Sequence, residues 1–343
     1  ISNAHWKLLN EWRPINPVNY TEIKINFRVV SWVSWPESSI VTLIRMLQKR
    51  LKTLLVLLLI LFIVYEIRCL FAKPVPDHPY FNPDKFLVIA HRGGRSLGPE
   101  NTLYTYRNAV KLGVDVLEMD IRSTRDGQLI VLHDDTVART TNATGPVENY
   151  SLVDLKKLDA AHRWSPDNGH TFPLRNKGVK IPTLAEVFNA FPETKMNLEI
   201  KESRSSTIHS LCRLIRDHQM TKKIMVASFD ADSLKEFRSL CPQVATSAGA
   251  SEAMLFYGLQ KVYLEAAYGP SAQALQVPET FRNLRVVNRR FIQAAHARNM
   301  RIHVWSVNDV KVMQRLLELG VDGIMTDYPQ RLLELLKKYH VSV

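Results

Sequence analysis

The sequence predicts an α/β protein whose main domain is a closed (β/α)8 barrel, preceded by an N-terminal apolar anchor. Short apolar, β-branched runs alternate with segments of helical period. Eight such strand–helix units fill roughly 250 residues, the usual extent of a closed barrel of this kind. Acids and histidines gather at the ends of several of the runs, where such a barrel carries its chemistry. An open doubly wound sheet is the alternative arrangement of the same alternation.

The chain has 343 residues, 46% of them apolar, with 13 Gly and 17 Pro. That excludes disordered, collagen-like and low-complexity chains. Its 45 Lys+Arg against 33 Asp+Glu give a net charge of +12. Residues 1–73 hold ten Lys/Arg and four Asp/Glu, a net of +6, and the other 270 residues hold 35 against 29, again +6. The excess is thus concentrated near the N-terminus, as membrane topology requires. No basic stripe is interleaved with aromatics, so a nucleic acid is not an expected partner. The three cysteines, Cys69, Cys212 and Cys241, are too few and too scattered for a metal cluster or a disulfide framework. They read as small buried hydrophobes, with pairing of Cys212 and Cys241 in an oxidising compartment as the lesser alternative.

Residues 1–45 carry four of the six tryptophans, Trp6, Trp12, Trp32 and Trp35, without a clear period, and read as an unassigned leader. Met46 makes a natural start just before most of the basic residues. Residues 46–73 read as a signal anchor: Arg45, Lys49, Arg50 and Lys52 precede an uncharged run, Thr53–Tyr65. Extended over Leu51–Ala72, the run is long enough to span a bilayer, with Glu66 and Arg68 at the far interface. Leu70-Phe71-Ala72 lacks the small residues of a good cleavage site, which favours an uncleaved anchor over a removed signal peptide. Positive charge on the N-terminal side places residues 74–343 outside the cytoplasm. Residues 74–85, rich in proline, read as a linker.

The barrel is expected over 86–343. Its strands are Phe86–Ala90, Asp115–Ile121, Met196–Lys201, Ile224–Ser228, Val244–Ala248, Ala274–Val277, Ile302–Ser306 and Asp322–Thr326. Helical patterns separate them, and a last helix over Gln330–Tyr339 closes the series. Arg125-Asp126-Gly127-Gln128 is a hairpin turn signal. The run after it, Leu129–Leu132, should fold back antiparallel on strand two. An insertion is expected over about 122–181, its polar part being Thr140–Ile181, before a helix over Thr183–Phe191.

Glu118 and Asp120 stand two apart on strand two, so both point the same way, into the barrel near its mouth. Glu199 and Lys201 repeat the spacing on strand three. Carboxylates converging in an apolar strand need a compensating cation. Glu118, Asp120 and Glu199 offer hard oxygen donors suited to Mg²⁺ or Ca²⁺; salt bridges with Lys201 or Arg92 are the alternative reading. His91 closes strand one and His133 ends the back-folded strand, a pair able to divide acid and base duties. Arg92 and Lys201 supply positive charge for a phosphate, with Gly93 and Gly94 letting the backbone approach. Together these describe phosphoryl-ester hydrolysis.

His91-Arg92-Gly93, Pro99-Glu100-Asn101-Thr102, Glu118-Met119-Asp120, His133-Asp134, Glu199-Ile200-Lys201, Ser228-Phe229, Trp305–Asn308 and Asp322–Asp327 resemble the ordered motifs of the glycerophosphodiester phosphodiesterase family. The resemblance covers about residues 86–337. It implies a TIM barrel and hydrolysis of glycerophosphodiesters to glycerol 3-phosphate and an alcohol with a divalent metal. It implies Glu118, Asp120 and Glu199 as metal ligands, and His91 and His133 as the general acid/base pair. Arg92 and Lys201 would then hold phosphate oxygens, Trp305 would line the pocket, and Glu100 and Asn101 would support it. Water and the substrate's glycerol 2-hydroxyl both stand as candidate nucleophiles. Met254–Leu259 and Tyr263-Leu264 form an apolar stretch that either packs on the barrel, the favoured reading, or accepts an acyl chain at its mouth. A lysophospholipid substrate, with lysophospholipase D-type cleavage, is therefore the first alternative. A silent, membrane-tethered phosphodiester-binding module is the second.

Overall fold

The computed structural model describes residues 37–82 and 85–339. The chain divides into two compact units, Ile1–Ile60 and Leu61–Val343. Helix α1 (Glu37–Phe71) carries Arg45, Lys49, Arg50 and Lys52 before a long apolar run, and an 18-residue window within Ser38–Phe71 reaches a mean hydropathy of 2.6, long and apolar enough to cross a membrane. The helix starts upstream of Met46, where the leader was expected to end. Trp6, Trp12, Trp32 and Trp35 of that leader lie outside the described residues.

In chain order the second unit then forms β1 (Leu87–Ala90), α2 (Leu103–Leu112), β2 (Val116–Ser123), β3 (Leu129–Val131), α3 (Leu152–Leu155), α4 (Leu184–Ala190), β4 (Lys195–Ile200), α5 (Ser205–Asp217) and β5 (Ile224–Ala227). There follow α6 (Ala231–Leu240), β6 (Ala245–Thr246), α7 (Ala250–Lys261), β7 (Ala274–Pro278), the hairpin β8 (Thr280–Phe281) and β9 (Leu284–Arg285), α8 (Arg289–His296), β10 (Arg301–Trp305), α9 (Val310–Leu319), β11 (Gly323–Thr326) and α10 (Pro329–Lys338). The parallel strands run in the order β6-β5-β4-β2-β1-β11-β10-β7. Ser247 bridges Ala274, and the Ala248 N–H donates to the Ala274 carbonyl at 2.8 Å, which brings β6 against β7. The sheet thus curls round into the expected barrel rather than an open sheet. As expected, β3 folds back antiparallel on β2, pairing Ile121 with Val131. Gly127 supplies the left-handed backbone of that turn, with φ +75°.

Two apolar layers hold the barrel. The larger lies between strands and helices, where Val88, Leu117, Met119, Leu198 and Val226 meet Tyr106, Leu211, Phe237 and Phe291. The smaller fills the barrel interior with Leu87, Ile89, Val116, Met225, Ala245, Ala274 and Met325. Tyr80 belongs to this interior layer and is fully buried against the first residues of β1 and β2. The proline-rich segment read as a linker is therefore docked along the N-terminal end of the barrel. The Val75 N–H donates to the Arg298 carbonyl at 3.1 Å, Asn299 donates to the Val75 carbonyl at 2.8 Å, and His78 meets the Gln243 carbonyl at 3.1 Å. The insertion keeps a satellite core of its own, with Ile130, Leu132, Val137, Val147, Leu155 and Ile181.

The cysteines correct the sequence reading. Cys212 and Cys241 are buried, but as a disulfide joining α5 to the residue after α6, with Cα atoms 6.0 Å apart. The sequence shows their separation of 29 residues but not that the two helices pack side by side. Closing a loop of that length stabilises the fold by about 3–4 kcal/mol in the chain-entropy account.

Tyr80 fills the barrel floor, and its buried hydroxyl has no hydrogen-bond partner among the described residues. Tyr80→Ala is expected to lower unfolding free energy by about 3–5 kcal/mol, whereas Tyr80→Phe retains or raises it. Urea unfolding followed by tryptophan fluorescence checks both; equal losses in the two variants would remove the packing argument.

Candidate active site

The parallel register of β2 and β4 sets Glu118 beside Asn197 and Asp120 beside Glu199. One oxygen from each of Glu118, Asp120 and Glu199 lies within 4.8 Å of the others. Glu118 and Asp120 are almost wholly buried. Burial first, and then the adjacent Asp120 carboxylate, push the Glu118 pKa upward. Such a set of hard oxygens fits a divalent cation of the Mg²⁺ or Ca²⁺ type. Here Lys201 sits across the cluster, its Nζ 2.6 Å from Glu199 and 3.1 Å from Asp120. Burial lowers the Lys201 pKa, but Asp120 and Glu199 outweigh it and the ammonium is held charged.

The loop after β1 folds over these acids. Arg92 adopts a left-handed backbone, φ +50°, which costs about 1–3 kcal/mol outside glycine. Its N–H donates to Glu118 Oε2 at 2.7 Å, and its carbonyl accepts the Asn101 N–H at 3.0 Å. Gly93 follows at φ +86°, and a Cβ there would stand 2.7 Å from the Tyr106 ring. The motif thus needs glycine for both conformation and space. The Arg92 guanidinium donates to Glu100 at 2.9 Å, and its Nε lies 3.6 Å from Asp120.

Asn101 is buried, donating to Asp120 Oδ2 at 2.9 Å and accepting the Tyr106 hydroxyl at 2.9 Å. It thereby orients one acid of the cluster. Glu100 does something else. Its carboxylate is held by Arg92, by Arg95 at 3.1 Å, and by both terminal nitrogens of Arg139 at 2.7 and 2.8 Å. Burial works against its ionisation, but these guanidinium groups prevail and hold its pKa at about 2.

The two histidines have parallel surroundings. His91 Nδ1 lies 2.8 Å from Asp327 Oδ1, and Asn308 holds Asp327 through a donor bond to Oδ2 at 2.9 Å. His133 Nδ1 lies 2.7 Å from Asp134 Oδ1, and Arg139 Nε donates to Asp134 Oδ2 at 2.6 Å. A carboxylate at Nδ1 fixes the tautomer that leaves Nε2 free for proton exchange. For His91, burial lowers the pKa, but the Asp327 hydrogen bond and the charges of Glu118 and Asp327 raise it above the ordinary value overall. Burial alone would raise Asp327; the His91 bond and charge, Asn308 and Arg95 keep it low.

These side chains line a cavity of about 280 Å³ at the C-terminal mouth, with His91, Arg92, Glu118, His133, Glu199, Lys201 and Trp305 in its wall. Phe229, 61% exposed, meets Trp305 edge-on with ring centroids 5.8 Å apart. Asp327, Asp134, Asn308 and Phe229 lie in the motif stretches of the sequence, but their types and spacing alone assign them no role. The Asp134–His133 contact is between neighbours and could have been inferred. The Asp327–His91 contact spans 236 residues and needed the closed barrel.

The apolar stretch divides. Ala250 and Ala253 of α7 line the cavity, Met254 and Leu255 are exposed, Phe256 is fully buried, and Tyr257 and Leu259 pack on the core. Val262, Tyr263 and Leu264 follow the far end of α7, since a helix after a barrel strand returns to the opposite face. Arg290 stacks on Tyr263 at 4.3 Å. Tyr263 and Leu264 therefore do not belong to the mouth, which removes them from the alternative in which the stretch accepts an acyl chain there.

Barrel and cavity define the class: an enzyme that hydrolyses phosphodiesters. Residues 91–331 match the model of the glycerophosphoryl diester phosphodiesterase family. A glycerophosphodiester phosphodiesterase of Caldanaerobacter subterraneus is 31% identical over 269 residues, 74% of this chain and 99% of that protein. One from Bacillus subtilis is 30% identical over 275 residues, 75% of this chain and 89% of its own. A human lysophospholipase D is 24% identical over 276 residues, 73% of this chain and 86% of its own. Among solved structures, an Oleispira antarctica phosphodiesterase in complex with the product sn-glycerol-3-phosphate matches with a TM-score of 0.59 at 24% identity, covering 73% of this chain and 96% of that one. The chain belongs to the glycerophosphoryl diester phosphodiesterase family.

Glu100 yields a pH test. Its folded pKa, about 2, lies below the reference 4.5, so its contribution is present above pH 4.5 and lost as pH falls toward 2. Glu100→Gln is expected to be less stable than the parent at neutral pH by about 3 kcal/mol, with the gap closing as pH falls through that window. Denaturant titrations across pH read the gap; one that is constant with pH would contradict the arginine clamp.

Proposed function

We propose that this protein is a metal-dependent glycerophosphodiester phosphodiesterase that releases glycerol 3-phosphate and an alcohol, acting at a membrane surface. The observation carrying it is the convergence, at one cavity, of two cations, two histidines each fixed at Nδ1 by its own carboxylate, and Glu118 and Glu199, with the third carboxylate of their cluster, Asp120, buried beside them. Glu118, Asp120 and Glu199 are the residues to hold Mg²⁺ or Ca²⁺. When bound, the ion supplies Lewis-acid stabilisation of phosphoryl charge. Arg92 and Lys201 bind the non-bridging phosphate oxygens, releasing part of their present contacts to the acids. One histidine takes the proton of the attacking hydroxyl, that of water, which gives glycerol 3-phosphate directly, or that of the glycerol 2-position, which gives a cyclic phosphate that water then opens to glycerol 3-phosphate. As the bond from phosphorus to the departing alcohol breaks, the other gives that alcohol's oxygen its proton. Trp305 packs against the glycerol or leaving group. Glu100 and Asn101 act through others, Glu100 by steadying Arg92 and Asn101 by orienting Asp120.

A second reading has its own support. Phe229 and Trp305, with Ala250 and Ala253 of α7, give the cavity wall an apolar part, and one relative is a lysophospholipase D. An acyl chain lying there would make lysophospholipids substrates, with lysophosphatidic acid as product. Helix α1 is read as a single uncleaved span with residues 74–343 on the non-cytoplasmic side, from the basic residues before its apolar run. The disulfide supports that reading, since such bonds persist in oxidising compartments.

The full chain in detergent, offered glycerophosphocholine and lysophosphatidylcholine with Mg²⁺, Ca²⁺ or chelator, is expected to release choline only with metal. His91→Ala and His133→Ala should each lower turnover by about 10²–10⁴-fold, and Glu118→Ala should abolish metal dependence together with activity. Undiminished turnover in chelator would sink the metal assignment. Phe229→Ala is expected to raise KM for lysophosphatidylcholine by about 10-fold, from lost burial of apolar surface, while leaving KM for glycerophosphocholine nearly unchanged. Equal effects on both substrates would take the acyl chain away from Phe229.

A further inference from the structure

We propose that the insertion of the barrel is N-glycosylated at Asn142 and Asn149. Asn142-Ala143-Thr144 and Asn149-Tyr150-Ser151 both have the acceptor pattern, with a residue other than proline in the middle. Transfer forms a bond from the asparagine Nδ2 to the anomeric carbon of a polyprenyl-diphosphate-linked oligosaccharide. The carbon–oxygen bond to the carrier breaks, the amide loses one proton, and the carrier leaves as its diphosphate. The folded protein must then accommodate a large polar group at each position.

The structure meets that requirement at both. Asn142 is exposed, and its Oδ1 accepts the Asp159 N–H at 2.9 Å, so the atom engaged by the fold is the oxygen and not the nitrogen that would carry sugar. Asn149 is exposed at the end of a short 3₁₀ turn, Val147–Asn149, and its side chain makes no hydrogen bond among the described residues. Between them Val147 points the other way, into the satellite core, so the turn presents an apolar face inward and the acceptor outward. Neither asparagine lines the catalytic cavity.

The Cys212–Cys241 disulfide belongs to an oxidising environment, and the basic residues before the apolar run of α1 place the barrel on the non-cytoplasmic side. The inference rests on that proposed topology. The chain carries its own control: Asn19-Tyr20-Thr21 has the same pattern on the other side of α1 and should stay unmodified.

The test is translation of the full chain with sealed endoplasmic-reticulum microsomes, comparing mobility before and after a glycosidase specific for Asn-linked sugar, with protease protection measured in parallel. Two increments of mobility are expected, both removed by the glycosidase, on a protease-protected barrel. Asn149→Gln removes one; Thr144→Ala removes the other while keeping the Asn142–Asp159 bond. Asn19→Gln changes nothing. A protected barrel without sugar overturns the proposal and leaves the topology standing. A digested barrel with an increment lost in Asn19→Gln overturns both.

Discussion

Everything at the mouth of this barrel is arranged around the mutual repulsion of Glu118, Asp120 and Glu199. Three carboxylates within 4.8 Å, two of them almost wholly buried, oppose one another and the low dielectric around them. The surrounding chain supplies what that cluster lacks. Lys201 bridges two of the acids, Asn101 donates to one, and the Arg92 backbone donates to another. The strained backbone at Arg92 accompanies this arrangement, with its N–H on Glu118 and its guanidinium on Glu100.

The acid cluster is also the reason for the arginine-rich rim. Arg139 ties Glu100 to Asp134, and Asp134 in turn positions His133. Arg92 and Arg95 share the same Glu100 carboxylate. A continuous path of charged hydrogen bonds therefore links the loop after β1 with the segment after β3, two parts of the chain that supply one histidine each. On the other side of the mouth the lining turns apolar at Phe229, Trp305 and Ala253. The cavity has a polar side suited to phosphate and an apolar side suited to glycerol or a longer chain, the division on which the two substrate readings differ.

Much of this was legible in the residues. The alternation of apolar runs and helical segments located the eight barrel strands to within a few residues, since strand and helix periods are local properties. The i, i+2 spacing of Glu118 and Asp120 put both side chains on one face, and Gly127 marked the return of β3. Less legible was the segment after α1. Its prolines read as a spacer, yet Tyr80 is buried as an apolar cap on the open lower end of the barrel, and Val75 packs into the layer between strands and helices. Composition does not distinguish a free linker from a docked strap.

The sequence by itself determined the barrel, the apolar N-terminal helix and the residue types of the site, because each follows from periodicity, spacing or motif within a short stretch. Only the tertiary structure decided which acid serves which histidine, that Cys212 meets Cys241, and that Tyr263 lies away from the mouth. Those facts depend on strands and helices distant in the chain becoming neighbours when the sheet curls round. Asp327 reaches His91 because β11 pairs with β1. No local property of either stretch encodes that contact; barrel closure does.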